Sequence, residues 1–181
     1  IAEADAEQNA HALQKVLHEG LRLCIILGVV LFLGVYIAKP LLFQMGQEPE
    51  VVALAIPYLN WVAVSLLPLV IFQAFKQFAD GLSQTKYSMW ATIIANVLNV
   101  VLNYVLIYGI WIFPEMGIVG AAWGTLISRV VMAIAMYLYI YKKEKFLVYF
   151  ENLWKEKFLK TTIKKLNGIG FPSALQMFFE F

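Results

Sequence analysis

The chain has 181 residues, of which 61% are hydrophobic and only 14% charged, and its mean hydropathy is +0.72. Soluble domains run nearer half apolar and a quarter charged, so a soluble enzyme or binding module is excluded. The net charge of +2 says little as a total; its distribution along the chain carries the information.

The apolar residues come in long blocks, four of which reach the roughly 20 residues a helix needs to cross a bilayer core. A fifth begins near the C-terminus. No dyad alternation of the kind a membrane β-barrel requires is visible. The expected fold class is therefore all-α, a polytopic membrane protein. The chain opens on IAEADAEQNAHALQKVLHEG, without Met, and stops at Phe181 inside an apolar block, so it reads as a segment cut at both ends. The opening has no basic stretch followed by an apolar one and is not a signal peptide.

In chain order, the first span is expected at about 21–38, closed by Lys39-Pro40. Its lone cysteine, Cys24, permits no internal disulfide and reads as a small hydrophobe. After the acidic turn GQEPE at 46–50, the second span covers about 51–75 and contains Pro57 and Pro68. Prolines inside a membrane helix free backbone carbonyls, so bends are expected there. The polar hairpin KQFADGLSQTK (76–86) leads to a third span at about 87–112, and after Pro114-Glu115 a fourth runs over 117–141. From Lys142 to Lys165 the composition changes to eight lysines, three glutamates and many aromatics. The last apolar block opens at Gly168.

Basic residues set orientation, since cytoplasmic loops carry the excess. Lys15 and Arg22, then Lys76 and Lys86, then the eight lysines of 142–165 fall in one set of loops, and Lys39 alone in the other. The N-terminal segment, the 76–86 hairpin and the linker are expected in the cytoplasm of a multi-pass cell (inner) membrane protein. In the linker, Leu147, Phe150, Trp154, Phe158, Ile163 and Leu166 recur at near-helical spacing between lysines. That pattern suits an amphipathic helix in the cytoplasmic interface; a plain connecting helix fits it too.

Enzyme signatures are missing: no nucleophile elbow, no phosphate-binding loop, no metal-binding histidine pair with a third ligand. His11 and His18, in the hydrophilic N-terminal segment, read as solvated helix histidines. The run GIVGAAWG at 117–124 lacks the preceding strand of a dinucleotide loop. Its Gly120 and Gly124, with Ala121, Thr125 and Ser128, form instead a small-residue face that lets two membrane helices approach closely. Polar residues within spans are costly without partners and so carry the most information. Asn99 and Asn103 are four apart with Asn96 three before, hence on one helical face. They serve either helix–helix hydrogen bonding or an ion or substrate. Arg129, near the middle of the fourth span, snorkels, pairs with an acid, or faces a water-filled cavity. Glu180 follows GIGFPSALQMFF, with Pro172 starting the helix. An ionised carboxylate at that depth must face water, pair with a cation or take up a proton.

At these residues the sequence resembles the multidrug and toxic compound extrusion (MATE) transporters. FKQFADGLSQTKYSM is similar to the family's turn after its fourth helix, with Lys76 where arginine is more usual. NVLNVVLNYVLIYG (96–109) is similar to the fifth helix, GIVGAAWGTLISR (117–129) to the entry of the sixth, and GIGFPSALQMFFEF (168–181) to the start of the seventh. The resemblance implies a two-lobe, twelve-helix transporter, with 1–141 in the N-terminal lobe, 142–167 as the interlobe linker and 168–181 opening the second lobe. It implies cation coupling through Glu180 and points to Asn99, Asn103 and Thr125 for a first-lobe cation site; Gly120, Gly124 and Pro172 are expected to serve helix packing. Where some members carry an aspartate on the fifth helix, Asn103 stands here, which weakens the argument for a high-affinity first-lobe site.

The expected function is a secondary antiporter, not an enzyme. It exports cationic or amphiphilic small molecules in exchange for sodium ions or protons, with no cofactor and no metal beyond a possible sodium site. Membrane lipids and small cationic molecules are the expected partners, and nucleic acid is not. A flippase for lipid-linked sugars shares the architecture and would be favoured by an arginine-lined cavity. An intramembrane enzyme and a structural scaffold are the weaker rivals.

Overall fold

The computed structural model describes residues 10–44 and 46–142. They form four helices: α1 (Ala10–Gln44), α2 (Pro49–Gly81), α3 (Thr85–Tyr108) and α4 (Gly117–Lys142). All four are long and apolar enough to cross a membrane. The 24 residues of α3, at about 1.5 Å each, cover about 36 Å, and the 35 of α1 over 50 Å. A bilayer core is about 30 Å thick, so α1 reaches well past it. Large apolar side chains such as Val30, Ile37, Ile94, Val97 and Val100 stay exposed on the outer faces. Against lipid or further apolar helices that exposure carries no hydrophobic penalty.

The helices do not pack in chain order. α1 packs on α2, and α4 lies against both α2 and α3, whereas α2 and α3 barely touch although a tight turn joins them. α4 is thus a wedge between its two predecessors. Glycines set how closely the helices approach. A Cβ on Gly28 of α1 would lie 2.7 Å from the Val70 side chain and 3.1 Å from that of Leu67. On α4, a Cβ on Gly120 would lie 2.6 Å from the backbone oxygen of Leu106, so the α3 main chain itself occupies the space a side chain would need.

The turn between α2 and α3 is held by its own polar groups. The Ser88 hydroxyl donates to Asp80 Oδ1 at 2.8 Å, and Ser83 takes a positive φ of 60°. Beside it, the rings of Tyr87 and Tyr139 stack at 3.9 Å, and the Tyr139 hydroxyl donates to Gln84 Oε1 at 3.2 Å.

Helix ends differ from those expected from apolarity. The first helix is not closed by Lys39-Pro40; Pro40 lies inside α1. Proline's fixed φ is helical, and here its missing N–H removes one rung from the last turns only. α1 also starts earlier, at Ala10, because the segment taken as a hydrophilic head carries Leu13, Leu17 and Leu21 at four-residue spacing. All three are buried. The expectation of a solvated His18 is overturned with it: His18 is 1% exposed and its neighbour Glu19 is buried too. The third helix ends at Tyr108, short of the expected 112, because Gly109 adopts a left-handed φ of 63° and its N–H caps the Val105 carbonyl. Ile110 to Phe113 leave the helix, and Trp111 and Ile112 are the most exposed large apolar side chains described. Apolarity marks membrane depth, not helicity. The linker 143–165, the helix opening at Gly168, Pro172, Glu180 and the side chain of His11 lie outside the described residues.

Candidate functional site: a polar cavity beside α4

Because α4 keeps α2 and α3 apart, a gap remains between those two helices, floored by α4. It is a cavity of about 340 Å³, within the range of small-molecule pockets. Each helix offers it one face. α2 contributes Leu69, Phe72, Gln73 and Lys76; α3 contributes Thr92, Asn96 and Asn99; α4 contributes Thr125, Ser128, Arg129 and Met132. These positions recur every three or four residues, the spacing of one helical stripe. Gln73 and Asn96 are exposed as well as lining the cavity. Polar amides left open at membrane depth belong against water or protein, not lipid.

The wall between α3 and α4 is a chain of hydrogen bonds. Asn103 Nδ2 donates to Asn99 Oδ1 at 3.2 Å. Asn99 Nδ2 in turn reaches Thr125 Oγ1 on α4 at 3.5 Å, the weakest link by distance. Thr125 completes the chain by donating to the Ala121 carbonyl at 2.9 Å. Three of the residues singled out from sequence, Asn99, Asn103 and Thr125, are thus brought together in one network. Asn103 does not itself line the cavity. Its side chain lies where a Cβ on Gly124 would fall, so the glycine exists to admit the amide. Its Oδ1 is buried with no hydrogen-bond partner, an acceptor left open in a place where an unmade bond costs about 1–3 kcal/mol.

Arg129 reaches from α4 both to the cavity and to α2. It lines the cavity, and its Nη1 donates to Ser65 Oγ on α2 at 2.6 Å. Ser65 is fully buried and passes its own proton to the Val62 carbonyl at 2.7 Å. The hydroxyl is thereby fixed as an acceptor for the guanidinium. Ser65, Gln73 and the cavity role of Lys76 were missed by sequence reasoning. The available signal was their helical spacing on α2, a polar stripe running from mid-span to the 76–86 hairpin. Among the described residues no cluster of three or more His, Cys, Asp or Glu could hold a metal ion. The oxygens on offer here are neutral: Asn99 Oδ1, Asn103 Oδ1 and the Thr125 hydroxyl.

With that geometry in hand, comparison with known proteins is informative. The profile of the MatE family matches residues 1–105. A probable multidrug resistance protein NorM of Bacillus thuringiensis subsp. konkukian is 32% identical over 154 residues, which is 84% of this chain and 34% of that protein. Its counterpart from Idiomarina loihiensis is 29% identical over 182 residues, 99% of this chain and 39% of the relative. Among solved structures, the inward-facing conformation of a multidrug resistance MATE family transporter of the MOP superfamily superimposes with a TM-score of 0.83. It is 25% identical, and the match covers 96% of this chain and 39% of that one. The chain spans between about a third and two-fifths of the length of these relatives.

Proposed function

The chain belongs to the multidrug and toxic compound extrusion (MATE) family, and from that premise we propose that it forms helices three to six, and the start of the seventh, of a secondary antiporter. The whole protein exports cationic or amphiphilic small molecules in exchange for sodium ions or protons. The relatives named as multidrug resistance proteins support export of drug-like compounds. The single observation that carries the reading is the hydrogen-bonded run from Asn103 through Asn99 to Thr125 beside the cavity. A buried polar network within a membrane is expensive, and this one sits where two helices meet a water-accessible space.

Coupling to an ion requires a group whose partners change with occupancy. The open Oδ1 of Asn103 and the oxygens of Asn99 and Thr125 are donors of the kind that sodium takes inside transporters. A proton needs a titrating group instead, and on this reading Glu180 supplies it. A carboxylate can carry a proton or face a cation, and exclusion of one by the other is the minimum needed for exchange. In this orientation the start of α1 and the 76–86 hairpin are cytoplasmic. Cysteines placed at Glu48 and Glu115 then label from outside intact cells, and one at Gln84 does not.

The test is dye efflux from energised vesicles carrying the whole protein, with expression measured in parallel. Replacing Asn99 and Asn103 together with leucine, which favours insertion, is expected to leave the protein in the membrane and cut gradient-driven efflux at least tenfold. Glu180→Gln keeps the shape but neither titrates nor carries charge, and is expected to abolish the response to proton and sodium gradients; Glu180→Asp keeps part of it. Wild-type efflux by both variants would reduce these residues to packing.

A further inference from the structure

The outer face of α3 is banded. Trp90, Ile94, Val97, Val101, Tyr104 and Tyr108 follow one another at alternating steps of four and three residues, and so lie on one stripe. All six are more than half exposed, and Asn96, Asn99 and Asn103 lie off the stripe. Aromatic rings stand at its two ends and aliphatic side chains fill its middle. Trp90 and Tyr108 are 18 residues apart, about 27 Å along a helix. A bilayer's hydrocarbon core is about 30 Å thick. Trp and Tyr concentrate where that core meets the headgroups, since each ring has an apolar body and a polar handle.

Beyond Tyr108 the chain leaves the helix in a short loop whose base is stitched shut. Ile110 donates its N–H to the Val105 carbonyl at 3.0 Å, and Met116 donates its own to the Leu106 carbonyl at 3.1 Å. A Cβ on Gly109 would lie 2.5 Å from the Glu115 nitrogen, so the returning chain passes directly over that glycine. At the tip, Trp111 holds a left-handed φ of 67°, a conformation disfavoured for any residue with a Cβ. Trp111 and Ile112 are 93% and 89% exposed, so little among the described residues packs on them to offset that strain. A fixed base thus carries a large apolar tip past the end of α3. Since α3 is a membrane-crossing helix, the tip stands at the membrane face opposite the 76–86 hairpin.

Lipid and another helix are the two covers open to this face, and its composition separates them. Membrane helices that approach closely use small residues, as the α1–α2 and α3–α4 seams do with Gly28, Gly120 and Gly124. The stripe holds no Gly, Ala, Ser or Thr. We propose that the outer face of α3 is a lipid-facing surface of the whole transporter, and that Trp111 and Ile112 anchor its end in the headgroup layer. The rings at either end then fix the depth of α3, and with it the depth of the asparagines on its other side.

The test is spin labelling of the whole protein in phosphatidylcholine–phosphatidylglycerol vesicles, its native cysteines, Cys24 among them, replaced by serine. Nitroxides are placed through Val97→Cys in mid-stripe and Ile112→Cys at the tip. Collisions are then measured with oxygen, which concentrates in hydrocarbon, and with a water-soluble nickel chelate. The label at 97 is expected to be mobile, open to oxygen and closed to nickel. The label at 112 is expected at headgroup level, with intermediate access to both. Trp111→Asn tolerates the left-handed backbone but removes the ring. It is expected to raise nickel collisions at 112 about two- to threefold, whereas Trp111→Tyr, which keeps an interfacial ring, leaves them unchanged. Should Val97→Cys fail to insert, Val101→Cys on the same stripe gives the same measurement. An immobile label at 97, closed to both reagents, puts another helix on the stripe and overturns the lipid surface. Release of that label in nanodiscs holding one protein each assigns the helix to a second copy, and no release assigns it to the same chain. Nickel access at 112 equal to that of a label free in water, and unmoved by Trp111→Asn, overturns the anchor.

Discussion

Two of the helix seams of this molecule are built from the same device and put to different uses. Between α1 and α2, Gly28 brings the helices together against the side chains of Leu67 and Val70. A polar bond on that seam sits toward its end, where the Lys39 ammonium donates to Asn60 Oδ1 and lies 3.9 Å over the Tyr36 ring. Between α3 and α4, Gly120 and Gly124 do the same work, but against a main-chain carbonyl and the Asn103 amide. That seam carries its polar contact, Asn99 to Thr125, within both helices rather than at their ends. A dry seam is enough for stability. The wet one costs more and earns its place only if the groups along it meet something besides each other, which is why the cavity lies on that side.

Substitution by alanine sharpens the contrast. The largest effect is expected from Gly120→Ala, where the new methyl meets backbone that cannot rotate aside. Overpacking of this kind costs about 2–3 kcal/mol, net of alanine's better helix propensity, read as a lowered melting temperature of the purified protein. Gly28→Ala meets side-chain tips instead, and a cost below about 1 kcal/mol is expected. Equal costs at the two glycines would erase the distinction between the seams.

Gly124→Ala comes next. Its methyl takes the place of the Asn103 side chain and breaks the run to Thr125. Gradient-driven efflux should fall about tenfold while stability drops by only about 1–2 kcal/mol. A variant that melts lower yet exports normally would show that the network is structural. The smallest effect is expected from Thr125→Val, which removes one long bond at 3.5 Å and keeps the shape. A two- to fivefold loss of efflux, the worth of a weak hydrogen bond, is the expected result.

Much of this arrangement was legible beforehand, and the exceptions have physical causes. Four spans, the shared face of Asn99 and Asn103 and the small-residue face of Gly120 and Gly124 follow from length and from helical period, which are local properties. Helix ends are not set by apolarity. Gly109 stops α3 by its left-handed backbone within an apolar run, and Pro40 fails to stop α1. His18 looked solvated because its neighbours are polar, whereas its burial follows from the Leu13–Leu17–Leu21 stripe beside it. Ser65 shares a polar stripe with Gln73 and Lys76, but α2 packs on α1 and α4 at once. Which of its faces meets Arg129 is decided by the tertiary arrangement alone.

The proline at position 68 has a mechanical consequence. It lies inside α2, three residues after Ser65 and one before the cavity-lining Leu69, and it has no N–H to offer the Val64 carbonyl. A helix with a rung missing bends more cheaply there than in its intact turns. On one side of that joint, Ser65 is clamped to Arg129; on the other, Gln73 and Lys76 ride on the segment that runs to the turn before α3. The clamp acts as the pin of a hinge, and the arm it frees is the one that carries the outer wall of the cavity.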